Sequence, residues 1–232
     1  MGERRRALVV RGGWEGHEPV QTTDSVIPFL ERNDFDVRVE EGTSVYADEE
    51  TMRATDLIVQ VNTMNTIADA ELAGLVGAVV RGTGMAGWHG GIADSYRNSA
   101  DYLQMIGGQF AHHAAVPAAE RLGEQSDNYL DFRVSIVPEQ RTHPIVEGLD
   151  DFDLHTEQYW VLSDAYNDLL ATTQIVHRDF DAWHNSFTAP VVWTRLWGTG
   201  RIFVCTAGHK LNVLEEPSVR TIVERGLLWA SR

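Results

Sequence analysis

Five short segments of the chain carry side chains able to move protons or hold a metal. Gly12-Gly13-Trp14-Glu15-Gly16-His17 is rich in glycine, which lets the backbone turn sharply and expose its N–H groups. His17 is there either as a functional group or as a solvated loop histidine. The spacing is not that of the GxGxxG dinucleotide fingerprint, and no Gly-Lys-Ser/Thr follows, so no nucleotide cofactor is expected. Gly87-Trp88-His89-Gly90-Gly91 reads as a strand-turn-helix elbow, the device that presents a nucleophile in hydrolases of similar layout. Its apex is His89, which can serve as a base, an electrostatic donor or a metal ligand, or be incidental to a tight glycine turn. Gly107 and Gly108 suit a helix C-cap. In the extended chain after them, His112 and His113 point in different directions, so at most one faces a shared site. In Thr156-Glu157-Gln158-Tyr159-Trp160 the two-residue strand period puts Glu157 and Tyr159 on one face, with His155. A carboxylate beside aromatic surface is a candidate general base; the alternative is a solvated strand face. Finally, Ala207-Gly208-His209 follows the run that contains Cys205.

The elements that must position these groups can be read from periodicity. Residues 6–11 form a short apolar run of the kind buried in a parallel sheet. Residues 19–32 fit a helix, with a kink or early stop expected at Pro28, because a mid-helix proline loses a hydrogen bond and clashes with the preceding turn. Residues 35–39 and 56–61 read as strands. Leu72, Leu75, Val76, Val79 and Val80 define one helix face. Residues 84–88 form a fourth strand that runs into the His89 elbow and then a helix over about 92–106. This alternation implies a mostly parallel sheet with helices on both faces, whose chemistry sits at the carboxyl ends of the strands. The second half is richer in strands: 130–137, 152–162, 169–176, 190–196 and 201–206, the last two joined by a tight turn at Trp197-Gly198-Thr199-Gly200. A last helix starts at Pro217, a residue suited to a first helical turn. Residues 114–127 read as the least structured stretch.

Composition narrows the function. The chain has 232 residues, 43% hydrophobic and 23% charged, which suits a single domain over 1–232 and excludes a disordered chain or a coiled coil. Its 19 Lys and Arg against 34 Asp and Glu give a formal net charge of -15. That balance argues against nucleic acid and anionic membrane surfaces as partners. Cys205 is the only cysteine, so no internal disulfide or cysteine zinc cluster can form. Inside a strand it reads as a small core residue rather than a nucleophile. No apolar run approaches the ~20 residues that span a bilayer, and the run after the basic N-terminus is too short for a signal-peptide core. A cytoplasmic location is therefore expected. Several of the seven tryptophans flank the candidate loops. Flat aromatic walls suit the C–H faces of sugars, although core packing is the plainer role for most of them.

Taken in order, these segments resemble the ThuA-like (trehalose-utilisation) family, which has a class I glutamine-amidotransferase-like, flavodoxin-like α/β sandwich fold. The resemblance runs through Gly13 and His17; Gly87, His89 and Gly90; and Gly107, Gly108, Phe110 and His113. It continues through His143-Pro144-Ile145, Gly148-Leu149, Glu157, Tyr159, Pro190 and Trp193, and from Gly200-Arg201-Ile202-Phe203 to Gly208-His209. In true amidotransferases the elbow holds a cysteine and a later strand ends in His-x-Glu. Here His89 takes the elbow, and Leu211 stands where the glutamate would follow His209. Without a thiolate there is no thioester route, so glutamine hydrolysis is disfavoured.

The resemblance implies a role in the catabolism of trehalose-related disaccharides, on a glycoside or 3-keto-sugar, by metal-assisted or His/Glu acid-base chemistry. It implies His17, His89, His113, Glu157 and His209 as ligands of a divalent transition metal, with Zn, Mn, Fe or Ni suited to that N/O set. Glu157, His89 and His209 are the expected catalytic groups, and Trp14, Trp88, Tyr159 and Trp193 the expected sugar-binding surfaces. The expected partner is a small sugar, and a homo-oligomer is left open. The alternative function is a sugar-binding or regulatory protein that kept the fold without the chemistry. Convergence of the histidines on Glu157 in a pocket distinguishes the two.

Overall fold

The computed structural model describes residues 4–114 and 128–232. The expectation of an unstructured stretch at 114–127 lies, apart from Ala114, outside the described residues. Eleven strands are described: β1 (Arg5–Gly13), β2 (Phe35–Glu41), β3 (Leu57–Thr63), β4 (Gly84–Trp88), β5 (Gly108–His113), β6 (Tyr129–Ile136), β7 (Phe152–Glu157), β8 (Tyr159–Ser163), β9 (Asp168–Ile175), β10 (Phe187–Trp197) and β11 (Gly200–Cys205). The α-helices are α1 (Pro19–Arg32), α2 (Glu49–Ala54), α3 (Asp69–Val80), α4 (Gly90–Ala93), α5 (Ala100–Ile106), α6 (Leu211–Leu214) and α7 (Pro217–Ala230).

Nine strands form one sheet in the order β2-β1-β3-β4-β11-β10-β9-β6-β7. From β2 to β11 every pairing is parallel; from β11 to β7 every pairing is antiparallel. β5 and β8 pair separately. Alternate residues of the parallel strands feed two cores, as the pleat requires. Ala7, Val9, Val59, Ala86 and Phe203 pack with Val26 and Leu30 of α1 and with Ile222 and Leu227 of α7. Leu8, Val10, Ile58, Met85 and Val204 pack with Leu75 and Val79 of α3 and with Met105 and Ile106 of α5. Helices therefore cover both faces of the sheet, as the alternation of elements predicts. Among the described residues no helix is long and apolar enough to cross a membrane.

Several local expectations are corrected. Of the kink or early stop expected at Pro28, the early stop is corrected: α1 runs on to Arg32, with Pro28 on its exposed side, where the carbonyl freed by the missing N–H can meet water. The helix expected over 92–106 is two helices. Ser99 caps the second by accepting from Tyr102 N–H at 3.1 Å. The strand expected over 152–162 breaks at Gln158, so that β7 joins the large sheet and β8 the small one. α2 was unforeseen, although Asp48 before it accepts from the N–H groups of Glu50 and Thr51 at 3.1 and 3.2 Å, an ordinary N-cap.

Candidate metal centre

The carboxyl ends of the parallel strands deliver three histidines to one point. β1 runs into a 3-10 turn, Glu15–His17, that ends on His17. β4 ends at Trp88, and His89 follows with φ 47° and ψ -141°, a conformation usually left to glycine. The His89 N–H is held by the carbonyl of Cys205, at 2.7 Å. β11 ends at Cys205, and His209 follows four residues on.

Glu157 arrives from the far edge. β7 lies five strand steps from β4, or ~24 Å across a flat sheet at ~4.8 Å per step. Yet Glu157 Oε2 lies 3.2 Å from His89 Nε2. The antiparallel half must therefore curl back over the strand ends. β10 carries register shifts at Pro190/Val192 and Val192/Trp193, and such bulges bend a strand.

One ligand atom from each of His17, His89, Glu157 and His209 lies within 4.8 Å of the others, and all four residues are at most 5% exposed. His209 Nδ1 is 3.0 Å from both His89 Nε2 and Glu157 Oε2. Second contacts orient the rings. His89 Nδ1 lies 2.7 Å from the Thr206 carbonyl, and a carbonyl only accepts, so this nitrogen carries the proton. His17 Nδ1 is 3.0 Å from Thr63 Oγ1. Gly90 gives His17 its room: a Cβ at Gly90 would lie 2.5 Å from His17 Cε1.

Burial sets the charge state. It pushes the His89 pKa down to about 4. His17 is pushed down to about 2 by burial and by the neighbouring His89 and His209. For Glu157 burial acts upward, but contacts from His113, His209 and His89 outweigh it and hold the carboxyl well below the usual carboxylate range. A neutral His89 protonated at Nδ1 thus turns a bare Nε2 lone pair toward an ionised carboxylate oxygen 3.2 Å away. Between these two facing acceptors themselves there is no proton, and His209 Nδ1, 3.0 Å from both, can give its one proton to only one of them at a time. A cation satisfies all of them at once. Bonds of ~2.1 Å place tetrahedral ligands ~3.4 Å apart, close to the 3.0 and 3.2 Å separations. Three imidazoles and a carboxylate suit Zn, Mn, Fe or Ni and are poor partners for Ca or Mg, which take oxygen ligands.

The sequence pattern of the ThuA family, described as trehalose utilisation, matches residues 6–230. The chain belongs to the ThuA family. No curated protein sequence matches it. Its fold is that of a ThuA-like protein from Bacteroides uniformis, with TM-score 0.72, 16% identity, and 99% of this chain covering 92% of that one. A ThuA-like protein from Parabacteroides merdae matches with TM-score 0.71 and 16% identity over 98% of this chain and 90% of that one. A cytoplasmic protein from Salmonella typhimurium matches with TM-score 0.64 and 13% identity over 98% and 100%.

Of the expected ThuA-type residues, His17, His89, Glu157 and His209 come together. His113 does not join them as a fifth ligand. The Asn128 amide nitrogen lies 3.1 Å from His113 Nδ1 and donates to it, which leaves the proton on Nε2, 3.0 Å from Glu157 Oε2. His113 is thus a donor to the carboxylate. His112 turns the other way, toward Trp183, and His155 sits on the exposed edge with Asp131. Tyr159 is buried beneath the site, its ring 4.1 Å from that of His89, so it supports the imidazole and offers no open face. Trp88 and Trp193 are corrections. They are 1% and 0% exposed, sit in the two cores, and leave no indole face for a sugar; Trp193 Nε1 donates to the Ile106 carbonyl at 2.8 Å. Trp14 is 45% exposed, with its ring edge-on to His17 at 4.7 Å. Thr63, Thr206 and Asn128 were missed. Thr63 lies two residues beyond the strand expected over 56–61 and ends the observed β3, and that place at a strand's carboxyl end was its one signal; Thr206 acts through its backbone and Asn128 across the fold, so neither leaves a mark in the sequence.

Proposed function

We propose that this ThuA-family protein is a carbohydrate-catabolic enzyme acting on a glycoside or 3-keto-sugar. The observation that carries the reading is the convergence of three buried imidazoles on one buried carboxylate. Scattered histidines would have favoured the sugar-binding alternative. His17, His89, Glu157 and His209 would hold a divalent transition metal. Such an ion supplies Lewis acidity toward a carbonyl or enediolate oxygen.

The chain's own groups handle the proton traffic. A ketone at C3 acidifies the proton on C2. A base takes that proton, its electron pair becomes a C1=C2 bond, the C1–O bond breaks, and the departing oxygen takes up a proton. Glu157, surrounded by imidazoles, is a poor proton acceptor and serves as a ligand. His113 would give the proton: its side chain is 23% exposed, against at most 3% for the His89, Glu157 and His209 side chains, and Asn128 and Glu157 fix which nitrogen holds the proton. Cys205 takes no part. It is buried, and burial pushes its thiol up to about 12. A cytoplasmic setting fits a chain with one cysteine.

The test is incubation of the metal-supplemented protein with 3-keto-trehalose in deuterated water, followed by NMR. Exchange of the C2 proton and release of glucose are expected. An unchanged sugar with no exchange at C2 would overturn the reading.

A further inference from the structure

The loop after α4 carries a charged pair that the metal centre does not use. Asp94 is 1% exposed and contacts Nε of Arg97 through Oδ1. The Arg97 side chain is 48% exposed, and among the described residues nothing else in the protein hydrogen-bonds its guanidinium. Its two terminal nitrogens therefore face outward as an open fork.

That fork is aimed by rigid neighbours. Met64 N–H donates to the Asp94 carbonyl and Tyr96 N–H to the Asn65 carbonyl, each at 3.0 Å. Ser95 Oγ donates to the Asn62 carbonyl at 2.8 Å. The Asn98 side chain brackets the backbone of Ile67 at 3.3 and 3.1 Å. The loop is thus pinned to the end of β3, next to the strand that delivers His89. The guanidinium carbon sits 5.6 Å from the centre of the Phe110 ring. Phe110 in turn touches the rings of His113 at 4.6 Å and Tyr159 at 4.4 Å. Arg97 therefore stands one ring away from the metal centre, on the side of its solvent-facing histidine.

We propose that Arg97 orients the substrate, donating from its terminal nitrogens to adjacent hydroxyls of a neutral sugar while Phe110 lines the approach. This rests on the carbohydrate reading above and names the substrate's charge and the group that recognises it. A planar fork of donors matches two neighbouring oxygens. Asp94 already balances the positive charge, and the chain carries a net charge of -15, so the site supplies hydrogen-bond donors without the surplus charge that would select an anion. An incidental surface ion pair would bear on stability alone, and weakly.

The test is calorimetric titration of trehalose, glucose and glucuronate into the wild type, Arg97→Gln and Arg97→Lys, with the metal content of each preparation measured. Trehalose is expected to bind the wild type and to bind both variants at least tenfold more weakly, at unchanged metal content and melting temperature. Lysine keeps the charge but not the fork, so its failure to rescue is part of the expectation. Equal trehalose affinity in wild type and Arg97→Gln would overturn the assignment. So would glucuronate binding tenfold more tightly than glucose, which would mark an anion site. If no sugar binds the wild type, the carbohydrate reading itself falls and takes this inference with it.

Discussion

His89 Nε2 and Glu157 Oε2 lie 3.2 Å apart, although their strands are five positions apart in the sheet. The parallel half supplies the imidazoles in the way a doubly wound sheet presents ligands at its strand ends. The antiparallel half supplies the carboxylate by folding back over them. Neither half holds the set alone.

The backbone at His89 gives a first test. With φ 47° and ψ -141°, any residue with a Cβ is strained there, by about 1–3 kcal/mol. Both His89→Ala and His89→Gly remove the imidazole and its bond to Thr206. The glycine variant is nevertheless expected to be the more stable of the two, by about 1 kcal/mol or more. Urea unfolding of the two variants measures the difference; a glycine variant less stable than the alanine one would contradict the elbow geometry.

Gly90 separates the site from the fold. An added Cβ would lie 2.5 and 2.7 Å from His17 Cε1 and Nδ1, so Gly90→Ala must push the ring away from its place beside Thr63. Metal affinity is expected to fall about 10–100-fold, as when an orienting contact of a ligand is lost, while the melting temperature of the metal-free protein moves little. Competition against a chromogenic chelator reads the affinity. Unchanged affinity would mean that His17 is not a ligand.

Acid should unfold the metal-free protein early. His17 and His89 are held neutral, at about 2 and about 4 against an ordinary 6.5, so below pH 6.5 the unfolded chain binds protons that the folded one refuses. Their contribution is complete above pH 6.5 and is lost as pH falls from there toward 4 and then 2. Glu157, depressed below its ordinary 4.5, adds a loss of the same sign beneath that pH. Melting curves with chelator from pH 8 to 4 are expected to fall below pH 6.5, and less steeply in His17→Gln. A flat profile would show that the buried histidines are not neutral.

Cys205 should be inert. Its thiol is buried and pushed up to about 12, which leaves almost no thiolate at neutral pH. Iodoacetamide is expected to leave the native protein unlabelled and to label it in urea, and Cys205→Ser is expected to keep any activity on keto-sugars. Rapid native labelling, or loss of activity in a folded serine variant, would restore a thiol route.

Much of the scaffold was legible in the sequence because it is local. The apolar runs of β1, β4 and β11 and the glycines around His89 carry their own signals, and they place three of the four converging residues. What the sequence hid was set by distant contacts. The break at Gln158, which sends β7 and β8 to different sheets, sits inside an unbroken β-like run. The separate role of His113 depends on Asn128, fifteen residues away. Trp88 and Trp193 sit beside glycine and strand signals that suit a binding wall as well as a core, and only the packing of the helices on the two faces of the sheet, α1, α6 and α7 on one and α5 on the other, shows that they are sealed.

His17, His89, Glu157 and His209 are proposed to form one metal site. This is tested most directly by plasma mass spectrometry of tag-free wild type and His89→Ala. About one equivalent of a transition metal in the wild type, lost in the variant, is the expected result for a single His/Glu centre. Wild-type protein that holds no metal, even after reconstitution with zinc, manganese, iron and nickel, would contradict it.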